Sequence, residues 1–320
     1  MDGIRHRNLS LNGINVHVAE SGPADGPVVL FVHGFPELWY CWRHQMAAVV
    51  SHGYRAVAPD LRGIGDTDAP ADPGSYTVFH IVGDLVALID AVAPGQKVFV
   101  VAHDWGASMA WYLCLFRPDK VKALVNMSVP FSPRNPNRKP LSSLKAYLGD
   151  DYYICRFQEP GVIEAEFAEL DTERIMKKFL AYHTPAPLYM PKGKLFGHWP
   201  DTPIALPPWL LEVDLQYYTD KFKKTGFTGG LNYYRNIDRN WELTAPWQGD
   251  QVKVPVKFIV GDQDLTYNTG NARDYISKGG FKRDVPFLQE VVVMPGVGHF
   301  LQEERAAEIS CHIVEFIRKF

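Results

Sequence analysis

The chain has 320 residues and a net charge of -3, with 46% hydrophobic and 22% charged residues. That length suffices to bury a sizeable core, and the slightly acidic balance argues against nucleic acid or an anionic membrane as the main partner. Aromatic residues at 13%, with 15 Tyr and 8 Trp, suit an aromatic-lined cavity.

Taken in order, residues 7–20 alternate loosely around Asn12-Gly13, which predicts an antiparallel hairpin at a sheet edge. Residues 27–32 read as a short apolar strand ending in His33-Gly34-Phe35-Pro36-Glu37. A helix is expected at 43–51, a strand at 55–59, a Gly-punctuated loop at 60–65 and a helix at 79–92. Residues 98–103 form a β-branched strand that stops at His103-Asp104, and small residues then open a helical pattern through Leu113. A further strand at 121–127 completes an alternation that implies a parallel sheet with right-handed crossovers.

The alternation breaks at 130–140, where four prolines accompany Arg134, Arg138 and Lys139. Residues 141–247 are helix-like and rich in Tyr, Phe and Pro. Strand-helix order resumes with a strand at 256–261, a helix at 271–277, a strand at 290–294 and a last helix at 303–320. The expected architecture is an α/β core of residues 1–132 and 248–320, its mostly parallel sheet flanked by helices. A mostly helical cap of residues 133–247 is inserted into it.

The chemistry starts at Ala102-His103-Asp104-Trp105-Gly106. A small-x-Asp-x-small run at a strand-to-helix corner is the frame of a nucleophile elbow, with Asp104 in the nucleophile's place. A carboxylate of reference pKa about 3.9 is already anionic at neutral pH and can displace a leaving group from saturated carbon. The product is an alkyl ester that a base must hydrolyse, and the elbow's usual chain order is nucleophile, acid, histidine. His299 lies after the strand at 290–294, at a carboxyl strand end like His33 and His103. Its acid is Asp262 or Asp264; spacing leaves both open. Backbone N–H groups of Phe35 and Trp105 are expected to form an oxyanion hole, with the Phe35-Pro36 bond cis.

Together His33-Gly34-Phe35-Pro36-Glu37, Asp60-Leu61-Arg62-Gly63, His103-Asp104-Trp105-Gly106, Gly261-Asp262-Gln263-Asp264 and Gly296-Val297-Gly298-His299-Phe300 resemble soluble epoxide hydrolases of the α/β-hydrolase superfamily, the plant type most closely. The resemblance runs nearly end to end, including Arg156-Phe157-Gln158 and Asn232-Tyr233-Tyr234-Arg235 in the cap. It implies Asp264 as the triad acid and two cap tyrosines that hold the epoxide oxygen. Ring opening needs such donors, since an alkoxide is far more basic than a phenol of pKa about 10. The cap offers three doublets, Tyr152-Tyr153, Tyr217-Tyr218 and Tyr233-Tyr234. Resemblance selects Tyr153 and Tyr234; the sequence alone leaves Tyr218 open. It also assigns Glu37 to the hydrolytic water and His103 to a proton relay, both as supporting groups.

The implied substrate is a small apolar epoxide, fatty-acid or aryl, taken by a monomer or homodimer. The rival readings are a haloalkane or haloacid dehalogenase on the same triad and a non-catalytic small-ligand receptor on this fold. No His/Cys/Asp/Glu spacing reads as a metal site and no Gly-rich loop as a phosphate cradle, so no cofactor is expected. Cys41, Cys114, Cys155 and Cys311 lie far apart and read as free thiols. Residues 1–12 carry no apolar core of signal-peptide length, no stretch reaches about 18 apolar residues, and 317–320 is not a peroxisomal signal. A soluble, cytoplasmic protein is expected.

Overall fold

A computed structural model describes residues 3–199 and 201–320. Met1, Asp2 and Pro200, which belong to the expected core and cap ranges, lie outside the described residues.

Eight strands build one sheet: β1 (Arg5–Leu11), β2 (Ile14–Ser21), β3 (Val28–Val32), β4 (Arg55–Pro59), β5 (Val98–His103), β6 (Val121–Met127), β7 (Val256–Gly261) and β8 (Leu288–Met294), in the order β1-β2-β4-β3-β5-β6-β7-β8. The β1-β2 and β2-β4 pairs are antiparallel and the remaining five pairs are parallel. The edge hairpin turns through Asn12 (φ 49°) and Gly13 (φ 82°). Both angles are positive, as a two-residue hairpin turn demands, and Asn-Gly tolerates them best. Every residue of β3, β5 and β7 is buried, as expected for strands covered on both faces.

Helices α1 (Arg43–Val50), α2 (Val78–Val92) and α3 (Trp105–Phe116) alternate with the strands of the first half. Between β6 and β7 the described residues form helices and loops, with one isolated bridge between Tyr152 and Tyr189: α4 (Pro140–Leu148), α5 (Tyr153–Arg156), α6 (Val162–Ala168), α7 (Thr172–Leu180), α8 (Glu212–Thr225), α9 (Thr228–Arg235) and α10 (Ile237–Leu243). Helices α11 (Ala272–Ser277) and α12 (Gly280–Asp284) precede β8, and α13 (Leu301–Glu304) and α14 (Ala306–Ile317) close the chain.

Two details depart from the expected elements. The described residues of 181–211 carry no α-helix. Pro185, Pro187, Pro191, Pro203, Pro207 and Pro208 deny that stretch the amides a helix would use. The single last helix is instead two, broken at Arg305 (φ -126°, ψ 47°). The break lets Gln302 and Glu303 turn inward, and the Gln45 side-chain amide donates to the carbonyls of Gln302 (2.8 Å) and Ala306 (3.2 Å) on either side of it.

The insertion is pinned to the sheet side by buried charge and by close backbone approach. Arg43 bridges Asp214 of α8 (3.1 Å) and Glu303 of α13 (2.8 Å), and the Tyr40 hydroxyl donates to Asp214 (2.8 Å). At the start of α9, a Cβ on Gly229 would enter the Gly63 backbone and one on Gly230 would enter the Phe35 ring. Those two glycines let a cap helix lie directly on the loops after β3 and β4.

Candidate active site

Asp104 sits between β5 and α3 with φ 52° and ψ -121°. This backbone region is costly for a side-chain-bearing residue, about 1–3 kcal/mol, and persists only where packing enforces it. The enforcement is visible in two glycines. A Cβ on Gly106 would collide with the carbonyls of Val32 and His33, and one on Gly34 would occupy the Asp104 carboxyl group. The corner therefore holds the carboxylate up against the loop after β3. There the Phe35 amide donates to Asp104 Oδ1 at 2.8 Å, and the Phe35-Pro36 peptide is cis. Trp105 is the first residue of α3, so the helix makes no use of its amide.

His299 stands on the loop after β8. Its Nε2 lies 3.5 Å from Asp104 Oδ2 and its Nδ1 lies 2.9 Å from Asp264 Oδ1. Asp264 thus takes the position that chain order left open. Asp262 serves the loops instead. Its Oδ1 accepts the Gly296 amide (2.8 Å) and the Gln263 side chain (2.9 Å), tying the loops after β7 and β8 together. Thr266 supports Asp264 through its amide (2.8 Å) and hydroxyl (3.0 Å). Ser128, at the end of β6 with φ 71°, brings its hydroxyl within 3.1 Å of His299 Nδ1. Sequence reading passed over Ser128 and Thr266. The one available signal is that Ser128 occupies the same row of carboxyl strand ends as His33, His103 and His299.

The charges of this trio depend on one another. Burial pushes Asp104 up, but His299, His103 and the Phe35 amide outweigh it and hold the carboxyl below the usual carboxylate range. Asp264 follows the same pattern, with burial opposed chiefly by His299. Burial disfavours an imidazolium at His299, yet Asp264 and Asp104 lift it well above an ordinary histidine. The resting arrangement is an imidazolium between two carboxylates.

Behind it, His103 Nε2 meets the His299 carbonyl (2.8 Å) and His103 Nδ1 meets Glu37 Oε2 (2.9 Å). A carbonyl only accepts, so His103 Nε2 carries the hydrogen of that bond, and Nδ1 faces the Glu37 carboxyl. Gln302 donates to the other Glu37 oxygen (2.7 Å). Both side chains are fully buried and neither lines the cavity over Asp104, so their contact with it runs through the backbone and ring of His299.

That cavity, about 30 Å³, has room for roughly one water and is walled by Phe35, Asp104, Tyr153, Tyr234, His299 and Phe300, among others. Each cap doublet divides its labour. Tyr153 and Tyr234 face the cavity with their rings 5.7 Å apart. Their neighbours do not line it: Tyr233 donates to the Arg62 carbonyl (3.0 Å), and Tyr152 packs between Tyr153 (4.9 Å) and Tyr189 (6.3 Å). Tyr217 accepts from the Trp39 indole (3.0 Å), and Tyr218 donates to Glu303 below the site. Burial pushes Tyr153 and Tyr234 well above an ordinary phenol, and the Asp104 charge adds to this at both. They are neutral donors aimed at an anion's neighbourhood. Such a set can attack an electrophilic carbon from one side and protonate its leaving oxygen from the other.

Spacing suggested no metal cluster, but the fold does bring His17, Asp60 and Asp66 together. Their donor atoms are already engaged. Asp60 accepts from His17 (2.8 Å), the Trp39 amide (3.0 Å) and the Asp66 amide (3.0 Å), and Asp66 pairs with Lys221.

Comparison with known proteins agrees with this geometry. Residues 27–306 match the alpha/beta hydrolase fold family. The chain is 59% identical to epoxide hydrolase 1 of Siraitia grosvenorii over 320 residues, all of both proteins. Epoxide hydrolase I of potato (Solanum tuberosum) superposes with a TM-score of 0.95 at 59% identity, over 99% of this chain and 100% of that one. An epoxide hydrolase of Vigna radiata superposes with a TM-score of 0.94 at 57% identity, over 100% of this chain and 99% of that one. An Asp at a strained strand-to-helix corner, a histidine between two carboxylates and this overall likeness lead to one assignment: the chain belongs to the α/β-hydrolase fold family and, within it, to the epoxide hydrolases.

Proposed function

We propose that this chain adds water to apolar epoxides, fatty-acid or aryl, and releases vicinal diols by way of an ester on Asp104. Tyr153 and Tyr234 donate to the epoxide oxygen. An Asp104 oxygen attacks a ring carbon, the C–O bond breaks, and a phenol proton passes to the departing alkoxide. Alkylation removes the negative charge of Asp104, one of the two that raise His299, so the imidazolium releases its proton, which by way of solvent restores the tyrosinate left by ring opening, and His299 becomes a base. Oriented by Asp264, His299 then takes a proton from water, which attacks the ester carbon. The amides of Phe35 and Trp105 hold the oxyanion, and its collapse regenerates Asp104 and frees the diol. Glu37 and His103 serve the second step by fixing the His299 backbone and holding a proton beside it.

The observation that carries this reading is the placement of two buried phenols and one ionised carboxylate on the same small cavity. Two proton donors suit a nascent alkoxide better than a halide, which takes no proton. A single turnover in heavy-oxygen water tests it. The label is expected in the Asp104 carboxyl and not in the first diol formed; label in that diol with none in Asp104 overturns the ester.

We also propose the division into a core of 1–132 and 248–320 and a cap of 133–247, supported by the run of helices between β6 and β7. A cytoplasmic address is supported by Cys41, Cys114, Cys155 and Cys311 being free thiols. Among the described residues no helix is long and apolar enough to cross a membrane.

A further inference from the structure

At the carboxyl end of β6 the chain turns sharply through Ser128, which is fully buried and has φ 71°. The Val129 amide donates to the Met127 carbonyl (2.9 Å), closing a γ-turn of the strained, positive-φ kind around Ser128. The turn is held from both sides. The Ser128 amide donates to the Ile259 carbonyl of β7 (2.9 Å), and the Ser128 carbonyl accepts from the Thr266 hydroxyl (2.9 Å). Glycine would adopt this backbone without strain. The residue that stands there instead has a hydroxyl 3.1 Å from His299 Nδ1 and 3.1 Å from Thr266 Oγ1. A strained position that spends its side chain on the histidine of the site points to a role in the reaction.

The acid holds that histidine by one oxygen only. Asp264 Oδ1 faces His299 Nδ1 (2.9 Å) and also takes the Thr266 amide (2.8 Å), whereas among the described residues its buried Oδ2 has no hydrogen-bond partner. One hydrogen bond to a carboxylate oxygen sets a distance but accepts a broad range of directions, so it leaves the ring free to swing. Before the reaction the other end of the ring prevents this, because Nε2 lies 3.5 Å from the charged Asp104. Once Asp104 is an ester that charge is gone, Nε2 must face water, and the ring depends on what holds Nδ1. With its hydrogen directed at Asp264, Nδ1 leaves Ser128 Oγ to accept beside it. The hydrogen of Ser128 then goes to Thr266 Oγ1, and that of Thr266 to the Ser128 carbonyl, so each finds an acceptor.

We propose that the Ser128 hydroxyl is the second anchor of His299 and serves ester hydrolysis alone, as a positioning residue that keeps Nε2 aimed at the attacking water after Asp104 has let go. The inference rests on the Asp104 ester proposed above. Ring opening does not draw on this anchor, since two charged carboxylates grip the imidazolium in that step.

The test measures the two steps apart, by acid quench and mass spectrometry of single turnovers with styrene oxide. Ser128→Gly removes the hydroxyl and suits the positive φ, so the turn survives; Ser128→Ala removes the hydroxyl and keeps the Cβ. In both, decay of the Asp104 adduct should slow about tenfold, the scale of one lost hydrogen bond to a charged partner. Adduct formation should stay within about twofold of wild type, so that kcat and KM fall together while kcat/KM holds. Should Ser128→Ala fail to fold, judged by circular dichroism, Ser128→Gly decides alone. Adduct decay at the wild-type rate in Ser128→Gly overturns the anchor and leaves Ser128 a turn residue. Formation and decay slowed alike also overturn it, because a loosened site would do the same. Absence of any adduct in the wild type removes the ester itself, a result distinct from the other two.

Discussion

On the sheet side of the cavity, Asp104, His299 and Asp264 are ionised groups set on three strand ends and held by one another's charge, with glycines at 34 and 106 clearing their space. On the opposite side, Tyr153 and Tyr234 are neutral phenols held by ring packing. Tyr234 contacts Trp105 at 4.9 Å, Phe157 at 5.0 Å and Phe35 at 6.1 Å. The core thus supplies charge in advance and the cap supplies protons. Ion pairs among buried groups tolerate little displacement, whereas a phenol on an aromatic bed can be re-aimed by repacking its neighbours. On the mechanism proposed above, the two chemical steps are separable by region: nucleophile and water activation on the sheet side, ring activation on the side of the inserted helices.

The sharpest way to break that division is to disable one side and ask which step stops. His299→Gln should leave ring opening in place and stop ester hydrolysis, lowering steady-state turnover by at least about 10³-fold. Mass spectrometry should then find a substrate adduct on Asp104, and sustained turnover without an adduct would contradict the scheme. Tyr153→Phe combined with Tyr234→Phe should instead abolish adduct formation while circular dichroism and melting stay close to wild type. Each single tyrosine variant should lower the ring-opening rate by about 10²-fold, the usual scale for one lost donor at a developing oxyanion. Adduct accumulating at the normal rate in the double variant would return ring activation to the core.

Gly34→Ala probes the core's intolerance. The added methyl group falls on the Asp104 carboxyl, so ring opening should slow and stability should fall by about 1–3 kcal/mol. A denaturant melt showing no loss would mean that the loop after β3 moves freely.

The smallest effect concerns the seam between the regions. Glu303 is fully enclosed by burial, which pushes its pKa up to about 7 against the pull of Arg43, with Glu37 adding to the rise and Tyr218 opposing it. As pH climbs from the ordinary glutamate value of about 4.5 toward 7, the unfolded chain releases this proton before the folded one does. Stability contributed by Glu303 is therefore present at low pH and is lost as pH rises through that window. Glu303→Gln has no such proton to lose, so its melting temperature should decline less than that of the wild type between about pH 5 and about pH 7. Parallel declines would show that the carboxyl is already ionised in the fold.

Much of this molecule is legible in its residue order. The strand at 98–103 ending in His103-Asp104, the late His299 and the break in alternation after 130 are local signals, and each corresponds to an element in the fold. The run of helices between β6 and β7 was legible in outline but not in detail. Its prolines between 185 and 208 turn a helix-like composition into an irregular stretch, and Gly229-Gly230, unremarkable as a motif, proves to be where a cap helix rests on core loops.

Residue order and type alone determined the alternating core, the carboxylate at the strand-to-helix corner and the later loops that bear an acid and His299, because strand periodicity and turn chemistry are written within a few neighbouring residues. Tertiary structure decided which of Asp262 and Asp264 meets His299, that Tyr153 and Tyr234 face Asp104 while neither Tyr217 nor Tyr218 does, and that Ser128 joins the site. Those choices depend on the direction of a side chain across distant segments. Adjacent residues point different ways, and only packing against the rest of the chain selects the one that reaches the cavity.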